Sequence, residues 1–458
     1  RVRGNEIMKR RWKNKNILYV ASFLLILIFR IGHYASQKIP YFTSDSRGYM
    51  NVDLRYLFTH FVSNEGQAPG YGFFLAIVRI LVGTNYLNVV VAIQILLSFL
   101  SLFALAYTMN LLGINLLLQQ VLLVFYGANP AICGWDGCIL TESLSLSCTV
   151  LFLFFIIRYI IENNRWDAIR GGVIVFYMVF LRPQFLYVFA ALLLFFLLKS
   201  IFEESKTRQN FKIVLLMACQ TILILLYCGN FKAAYGVFSL SDAMPRQNLK
   251  ICIDRGYYKE FDNPKLVKWI EDFQRGENVY EETWGATMSA ISEFGNEEIS
   301  RQTKKCIRVH LSDYIKDTLD IIVDDTTTTF LGYGSASYKL YENINAEAPG
   351  VVHKIDRLQL ALFNNVTVGQ ALAASLLEGF AMVYVWVKRK RPPWIHMALF
   401  SISMCTTWLT YFLTCFEYMR TMISVLPYFY IMVGLFMQWV CTVSLPEREK
   451  KENFHDLR

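Results

Sequence analysis

Long apolar runs separated by short polar segments cover most of the chain. Runs long enough to cross a bilayer lie at residues 17–36, 86–112, 139–161, 211–230, 361–387, 394–413 and 421–444, since about 20 apolar residues span the hydrocarbon core. Shorter apolar runs lie at 114–130, 169–182 and 184–202. The pattern predicts an all-α polytopic membrane protein with about ten transmembrane helices.

One polar stretch, from about residue 231 to 360, is much longer than the others and mixes acidic, basic and aromatic residues. Its length is sufficient for a small domain, which we expect to be mainly helical. We therefore predict four parts, namely an N-terminal transmembrane module (1–230), this extramembrane domain (231–360), C-terminal transmembrane helices (361–445) and a tail (446–458).

The charges predict which side of the membrane each part faces. Charged residues make up 18% of the 458 residues, against about 25% in soluble domains. The net charge of +9 is concentrated in clusters that flank apolar runs, at 8–15, 162–170, 206–208, 388–393 and 446–451. Basic residues favour the cytoplasmic side, so we expect both termini inside and the 231–360 domain outside. This distribution predicts a multi-pass membrane protein with no nucleic-acid partner. We expect the membrane to be a bacterial plasma membrane.

Two segments of the first outer region are too short or too polar to span. "RGYMNVDLRYLFTHFV" (47–62) has apolar and charged faces at helical spacing, which predicts a helix on the membrane surface. "APGYGFFLAIVRILVG" (68–83) is apolar but contains Arg79 and is bounded by Pro-Gly and Gly. We expect it to lie along the interface or to re-enter rather than to cross.

The first outer loop contains the acid Asp45, between Ser44 and Ser46 and close to Arg47 and Tyr49. One carboxylate in a polar cluster at a helix entry can act as a general base or bind a metal. The same residues are also good N-cap chemistry, so a capping role for Asp45 is the alternative.

Further charged residues are predicted at the outer ends of spans. Arg182 and Arg420 can pair with a phosphate through two N–H groups, or can reach the lipid headgroups as helix anchors. Glu417, one turn before Arg420, offers an ion pair that would account for both residues. Glu142 is favoured at a helix N-terminus by the helix dipole, and a role in positioning an acceptor or a metal is its alternative.

Four further residues are candidates for contact with a ligand, namely Asp136, Tyr49, Tyr71 and Trp135. Aromatic rings can stack on a sugar or an isoprenoid, although Tyr and Trp are also enriched at membrane interfaces for their own sake.

The order of these motifs resembles the GT-C superfamily of membrane glycosyltransferases, such as protein O-mannosyltransferases and lipid A aminoarabinose transferases. "SDSRGYM" followed by "APGYGFFLAIVRILVG" is similar to the family's acidic first external loop and its juxtamembrane stretch. "NPAICGWDGCILTESLSL", "FLRPQFLY" and "EYMRTMISVLPYFYI" resemble its second external loop, a later Arg-Pro helix end and a late Arg-containing element. The resemblance covers mainly residues 17–200 and 361–440.

The resemblance implies transfer of a sugar from a polyprenyl-phosphate donor to an extracytoplasmic glycan, lipid or protein. Asp45 would be the catalytic base. Many relatives have two adjacent acids in the first loop, whereas Asp45 has no acidic neighbour before Asp53, so a divalent cation (Mg or Mn) stays an open expectation. The residues expected to bind substrate are Arg47, Tyr49, Tyr71, Asp136, Glu142, Arg182, Glu417 and Arg420.

Two other functions are compatible with the same pattern. The first is a glycan polymerase or ligase that uses a polyprenyl-pyrophosphate oligosaccharide. The second is a lipid or sugar transporter, but transporters usually have internal repeats and charges at the membrane midplane. Here the polar residues gather at helix ends, and neither half of the sequence repeats the other, so we favour the glycosyltransferase.

Overall fold

The computed structural model describes residues 2–203, 207–275, 279–331, 343–413 and 418–443. This part of the chain is helical, and the β-contacts within it are isolated bridges. The helices of the first half are α1 (Val2–Ser36), α2 (Ser46–Met50), α3 (Leu54–His60), α4 (Pro69–Val82), α5 (Tyr86–Leu111), α6 (Leu116–Gly127), α7 (Pro130–Asp136), α8 (Glu142–Glu162), α9 (Arg165–Leu181), α10 (Phe185–Phe202) and α11 (Thr207–Tyr235).

The helices of the second half are α12 (Ala243–Asp254), α13 (Pro264–Phe273), α14 (Val279–Val309), α15 (Leu311–Asp325), α16 (Gly350–Phe363), α17 (Val368–Arg389), α18 (Trp394–Thr406), α19 (Trp408–Leu413), α20 (Tyr418–Met422) and α21 (Leu426–Val443). The all-α prediction is therefore confirmed. The predicted tail, 446–458, lies outside the described residues.

In the described part of the chain, seven helical segments are long and apolar enough to cross a membrane. An eighth results if α6 and α7, which meet at a bend of 48°, count as one broken span. The protein is thus a multi-pass membrane protein. The other two of the ten predicted spans also form helices, but α9 has 17 residues and α18 has 13.

The contacts between α8 and α9 distinguish the two ends of the bundle. Arg158, near the C-terminus of α8, lies 3.3 Å from Asp167 in the first turn of α9. At the other end, Glu142 of α8 lies 3.6 Å from Arg182, the residue after α9. α9 is therefore antiparallel to α8 and extends along most of the length of α8. We name the end that contains Glu142 the Asp45 end, because Asp45 joins it there, and we name the opposite end the basic end.

The segment after α1 contacts the Asp45 end, while α4 and α5 together form one of the seven apolar segments, so an interfacial position of α4 stays a prediction. The predicted surface helix is in fact two short helices, α2 and α3, because Asp53 caps α3 by accepting a hydrogen bond from the Arg55 amide. Residues near the start and near the end of α4 both contact the C-terminal part of α2. A Cβ at Gly72 would lie 2.9 Å from the Tyr49 carbonyl oxygen, and Arg79 donates to the Met50 carbonyl at 3.2 Å.

The long polar stretch forms a second, smaller core. Leu249, Ile253, Leu266, Ile270 and Ile299 are among its buried residues, and they come from α12, α13 and α14. This core is mainly helical, as predicted, while the domain boundaries at 231 and 360 stay predictions. One edge of it meets the first loop, because the Asp242 amide donates to the Gly66 carbonyl at 2.8 Å.

Candidate active site

Four charged side chains from distant parts of the sequence meet at the Asp45 end. They are Asp45 before α2, Glu142 at the start of α8, Arg182 after α9 and Arg420 in α20. The sequence placed each at the outer end of an apolar run, and the structure brings all four into one cluster. We call these four residues the charged cluster.

Arg420 lies at the centre of the charged cluster and bridges its two acids. Its Nε lies 2.6 Å from Glu142 Oε1, and its Nη1 lies 3.0 Å from Asp45 Oδ2. The guanidinium is also over the Trp135 ring, with 5.8 Å between Cζ and the ring centroid. A planar guanidinium has five N–H donors in a fixed fork, so it can hold two carboxylates and stack on a ring at once.

Arg182 reaches the charged cluster because α9 ends immediately before it. The residue preceding a proline is sterically pushed out of the helical region, and Arg182, which precedes Pro183, has φ −147° and ψ 119°. Its Nη1 lies 3.6 Å from Glu142 Oε1 and 3.4 Å from the Arg420 carbonyl oxygen. The contact of Arg182 with Glu142 is therefore 1.0 Å longer than that of Arg420 (3.6 against 2.6 Å).

Glu142 is the buried anion of the charged cluster, with no exposed surface. It is the first residue of α8, where the helix dipole favours a negative charge. The two arginines supply the compensation that a buried carboxylate needs. Its position agrees with the helix-dipole interpretation, and a role in positioning an acceptor or a metal stays a prediction.

Asp45 is the accessible acid of the charged cluster, with 35% of its side chain exposed. It occupies the N-cap position of α2, yet its side chain makes no capping hydrogen bond. The capping alternative is therefore wrong for the carboxylate, which contacts Arg420 instead. The Asp45 carboxylate is therefore partly exposed and lies beside the Arg420 guanidinium.

Gln67 holds the main chain at Asp45, a role that the sequence did not indicate. Its Nε2 donates to the Asp45 carbonyl oxygen at 3.2 Å. The Gln67 side chain packs against Gly48, and a Cβ at position 48 would lie 2.7 Å from Gln67 Oε1. Any larger residue at position 48 would displace Gln67, so this contact requires a glycine at position 48.

The residues on either side of Gln67 fix the segment to two other parts of the molecule. A Cβ at Gly66 would overlap the Asp242 carboxylate, which belongs to the second core. A Cβ at Gly70 would lie 2.6 Å from the main chain of Phe180, close to the end of α9. The short segment from Gly66 to Gly70 therefore contacts the second core, the Asp45 loop and the helix end that carries Arg182.

The aromatic candidates lie at different depths. Tyr49 is half-buried at the edge of the charged cluster, and its ring is perpendicular to that of Tyr71, with 5.3 Å between centroids. Burial raises the pKa of the Tyr49 hydroxyl, and the negative charges of Asp45 and Glu142 raise it further. Tyr71 is fully buried and donates to Gln94 Oε1 at 2.6 Å. Tyr71 packs against Tyr49 and lies deeper in the protein, and its contact with substrate stays a prediction.

Asp136 belongs to a separate buried network. It pairs with Arg30 of α1 at 3.2 Å and accepts hydrogen bonds from Tyr34 and Ser143 at 2.8 and 2.6 Å. It has no exposed surface, so its expected role in substrate binding is not supported by its position. Arg30, inside an apolar helix, was missed by the sequence reasoning, although a lone arginine in a span indicates a buried partner.

Arg47 and Glu417 are the two remaining candidates. Arg47 is exposed and forms no ion pair with the residues that the structure describes. Glu417 lies outside the described residues, so its predicted pairing with Arg420 stays a prediction. The acids that Arg420 does contact are far away in sequence, at positions 45 and 142.

The charged cluster does not fit a divalent cation. Its two acids and two arginines cancel in formal charge, and the position between the acids is filled by the Arg420 guanidinium. Among the described residues, no three His, Cys, Asp or Glu side chains are grouped to hold a metal. The open expectation of Mg or Mn binding is therefore not supported by the donor set, and a metal has no part in the chemistry proposed below.

Comparison with known proteins gives matches among solved structures alone. No protein-family model matches the chain, and no curated protein does. The chain is similar to the archaeal oligosaccharyltransferase AglB from Archaeoglobus fulgidus in complex with an inhibitory peptide and a dolichol-phosphate, with 12% identity and a TM-score of 0.47 over 94% of this chain and 50% of that one.

Two other structures of the Archaeoglobus fulgidus oligosaccharyltransferase are similar to a comparable degree. The apo form has 11% identity and a TM-score of 0.45, over 92% of this chain and 50% of that chain. The form tethered by a disulfide bond to an acceptor peptide containing the NVT sequon has 11% identity and a TM-score of 0.44, over 92% and 49%. The chain spans about half the length of these solved structures.

Proposed function

We propose that the protein is a membrane glycosyltransferase of the GT-C type, which moves a sugar from a polyprenyl-phosphate donor to an extracytoplasmic glycan, lipid or protein. The observation that carries the proposal is the charged cluster, in which four sequence-remote residues converge at one end of a helical bundle. It supplies an accessible carboxylate beside two guanidinium groups, which is what glycosyl transfer from a lipid phosphate requires.

In the proposed reaction Asp45 accepts the proton of an acceptor hydroxyl group. The hydroxyl oxygen then forms a bond to the anomeric carbon of the sugar, and the bond from that carbon to the phosphate oxygen breaks. The electron pair of the broken bond leaves with the polyprenyl phosphate, whose charge the arginines stabilise. Attack from the face opposite the phosphate inverts the configuration at the anomeric carbon.

The two arginines are given different roles by their distances to Glu142. Arg420 is held at 2.6 Å and also binds Asp45, so we assign it to positioning the base. Arg182 has the longer contact of 3.6 Å and can turn toward a phosphate at lower cost, so we assign it to donor binding. The loop ends that carry both residues are linked by the hydrogen bond from Arg182 to the Arg420 carbonyl.

The proposal is tested by transfer of radiolabelled sugar in detergent-solubilised, purified full-length protein. Matched panels of polyprenyl-phosphate sugars and polyprenyl-pyrophosphate oligosaccharides serve as donors, each with and without a chelator. We expect transfer from the monophosphate donors, unaffected by the chelator. Transfer from the pyrophosphate donors alone would favour the polymerase or ligase instead. Movement of lipid-linked sugar across vesicle membranes without any new glycosidic bond would favour the transporter.

Substitution of Arg182 should weaken donor binding. Arg182→Ala removes a charge-assisted contact to phosphate, which is worth about 1.5–3 kcal/mol, so we expect donor affinity to fall by at least about tenfold. Arg182→Lys keeps the charge and loses only the fork, so its loss should be smaller. Titration of the donor against both variants and the wild type measures these effects. Equal donor affinity in all three proteins would mean that Arg182 only anchors α9 at the headgroups.

Substitution of Gln67 should slow catalysis through Asp45. Gln67→Met keeps the shape of the side chain but removes the donor to the Asp45 carbonyl, a hydrogen bond worth about 1 kcal/mol. We expect kcat to fall about fivefold while donor affinity stays unchanged. A positioning residue acts only through its target, so Asp45→Asn combined with Gln67→Met should be no slower than Asp45→Asn alone. Additive losses would assign Gln67 to general stability.

A further inference from the structure

Helix α15 carries an apolar stripe that no part of the described chain covers. Leu311, Ile315, Leu319 and Val323 recur every four residues and are 49%, 40%, 44% and 66% exposed. At 100° per residue they fall on one side of the helix. Four aliphatic side chains in one row, each at least two-fifths exposed, need an apolar environment that the described part of the chain does not provide.

The other two sides of α15 have different surroundings. Tyr314, Thr318 and Ile322 are buried against the rest of the protein. The third side carries the aspartates at positions 313, 317, 320 and 324. The helix therefore has a protein-facing side, an exposed apolar side and an acidic side, which is the division expected where protein, lipid and water meet.

Both ends of α15 are tied to spans at the Asp45 end. Near its start, the Tyr314 hydroxyl donates to the Phe412 carbonyl of α19 at 2.7 Å. Just after its end, the Gly369 amide in the first turn of α17 donates to the Thr326 carbonyl at 3.0 Å. The two ties fix where each end of the helix lies along the bundle.

These two ties lie on the same side of a contact between α17 and the residue that precedes α19. The hydroxyl oxygens of Ser375 in α17 and Thr407 are 3.3 Å apart. Gly369 is six residues before Ser375, and Phe412 is five residues after Thr407. α15 therefore contacts the first turn of α17 and the end of α19. The large exposed apolar side chains of α17, such as Leu377 and Phe380, lie about two turns or more beyond Gly369.

We propose that α15 lies in the membrane interface, with its apolar stripe among the lipid chains of the leaflet at the Asp45 end and its aspartates in water. The partner surface is one of zwitterionic lipids, because α15 carries Lys316 as its one basic residue against its row of aspartates. Attachment is thus hydrophobic and insensitive to salt. The inference does not depend on the reaction that the protein catalyses.

The proposed position of α15 is also connected to the charged cluster. Tyr411 of α19 donates to Asp325, the last residue of α15, at 2.9 Å. The Tyr411 ring stacks on Tyr418, with 4.4 Å between centroids, and Tyr418 is two residues from Arg420. α15 is therefore linked through Tyr411 and Tyr418 to the short helix that contains Arg420.

The test places a nitroxide label at adjacent positions of the full-length protein in phosphatidylcholine vesicles. Leu319→Cys puts the label on the stripe, and Asp320→Cys is the matched control on the acidic side. Collision rates are measured with oxygen, which concentrates in lipid chains, and with a neutral nickel chelate, which stays in water. The signal of the labelled parent protein, which has its own cysteines, is subtracted.

We expect the label at 319 to collide mainly with oxygen and the label at 320 mainly with the nickel chelate, at both low and high salt. Equal access of the chelate to both positions would place the stripe in water and overturn the proposal. Shielding of position 319 from both reagents would also overturn it, because a second copy or another protein would then cover the stripe. Elution of both variants as the wild-type species confirms that they have folded.

Discussion

Replacing Asp45 with asparagine is expected to lower the rate of sugar transfer by about 10²–10⁴-fold, the usual contribution of a general base. The amide has the size of the carboxylate but cannot accept a proton. Because 35% of the Asp45 side chain is exposed, its ion pair with Arg420 contributes little to stability, about 1 kcal/mol at most. Folding and donor affinity should therefore stay close to those of the wild type. Steady-state kinetics with a donor titration measures both properties.

The matched control for this substitution is Asp53→Asn. Asp53 is an exposed acid on the same loop, and its side chain caps α3 rather than contacting the charged cluster. Asparagine is as good an N-cap as aspartate, so this variant should transfer sugar at the wild-type rate. If Asp45→Asn kept activity within threefold of the wild type, Asp45 would not be the base.

Replacing Arg420 with methionine is expected to destabilise the protein by about 3 kcal/mol or more. Removing one partner of a buried pair leaves an uncompensated charge, which costs about 3–5 kcal/mol. Here the stranded group is Glu142, which has no exposed surface, and Arg182 compensates for it only from 3.6 Å. Unfolding in detergent, followed by the loss of helical signal, measures the change.

The double variant Arg420→Met with Glu142→Gln separates this cause from a general loss of packing. Neutralising Glu142 removes the stranded charge, so the double variant should be clearly more stable than Arg420→Met alone. Both variants should remain inactive, because Arg420 also holds Asp45 at 3.0 Å. A double variant as unstable as the single one would show that Arg420 acts through its packing on Trp135 instead.

Some features of the site were determined by local sequence. The end of α9 at Leu181 follows from Pro183, because the proline pushes Arg182 out of the helical conformation. Apolar runs placed Glu142 and Arg182 at helix ends, since the backbone of a span must satisfy its hydrogen bonds within the helix. That these ends would share one side of the membrane followed from the positions of the basic clusters.

Local sequence was less informative about the partners of the buried polar residues. The sequence predicted Asp136 and Tyr71 as contacts of a ligand. The structure gives both of them buried partners, Arg30 and Gln94, which lie inside apolar helices. A polar side chain in a span predicts that a partner exists, but nothing local to it says which residue that is.

The sequence by itself determined the helical, multi-pass character of this protein and the placement of Glu142 and Arg182 at helix ends, because both follow from short-range hydropathy and backbone sterics. Only the tertiary structure decided that Arg420 would bridge Asp45 and Glu142, and that Gln67 would hold the main chain at Asp45. The contacts of Arg420 join residues hundreds of positions apart, while that of Gln67 spans 22 positions. All of them depend on how the helices pack, which hydropathy along one helix does not specify.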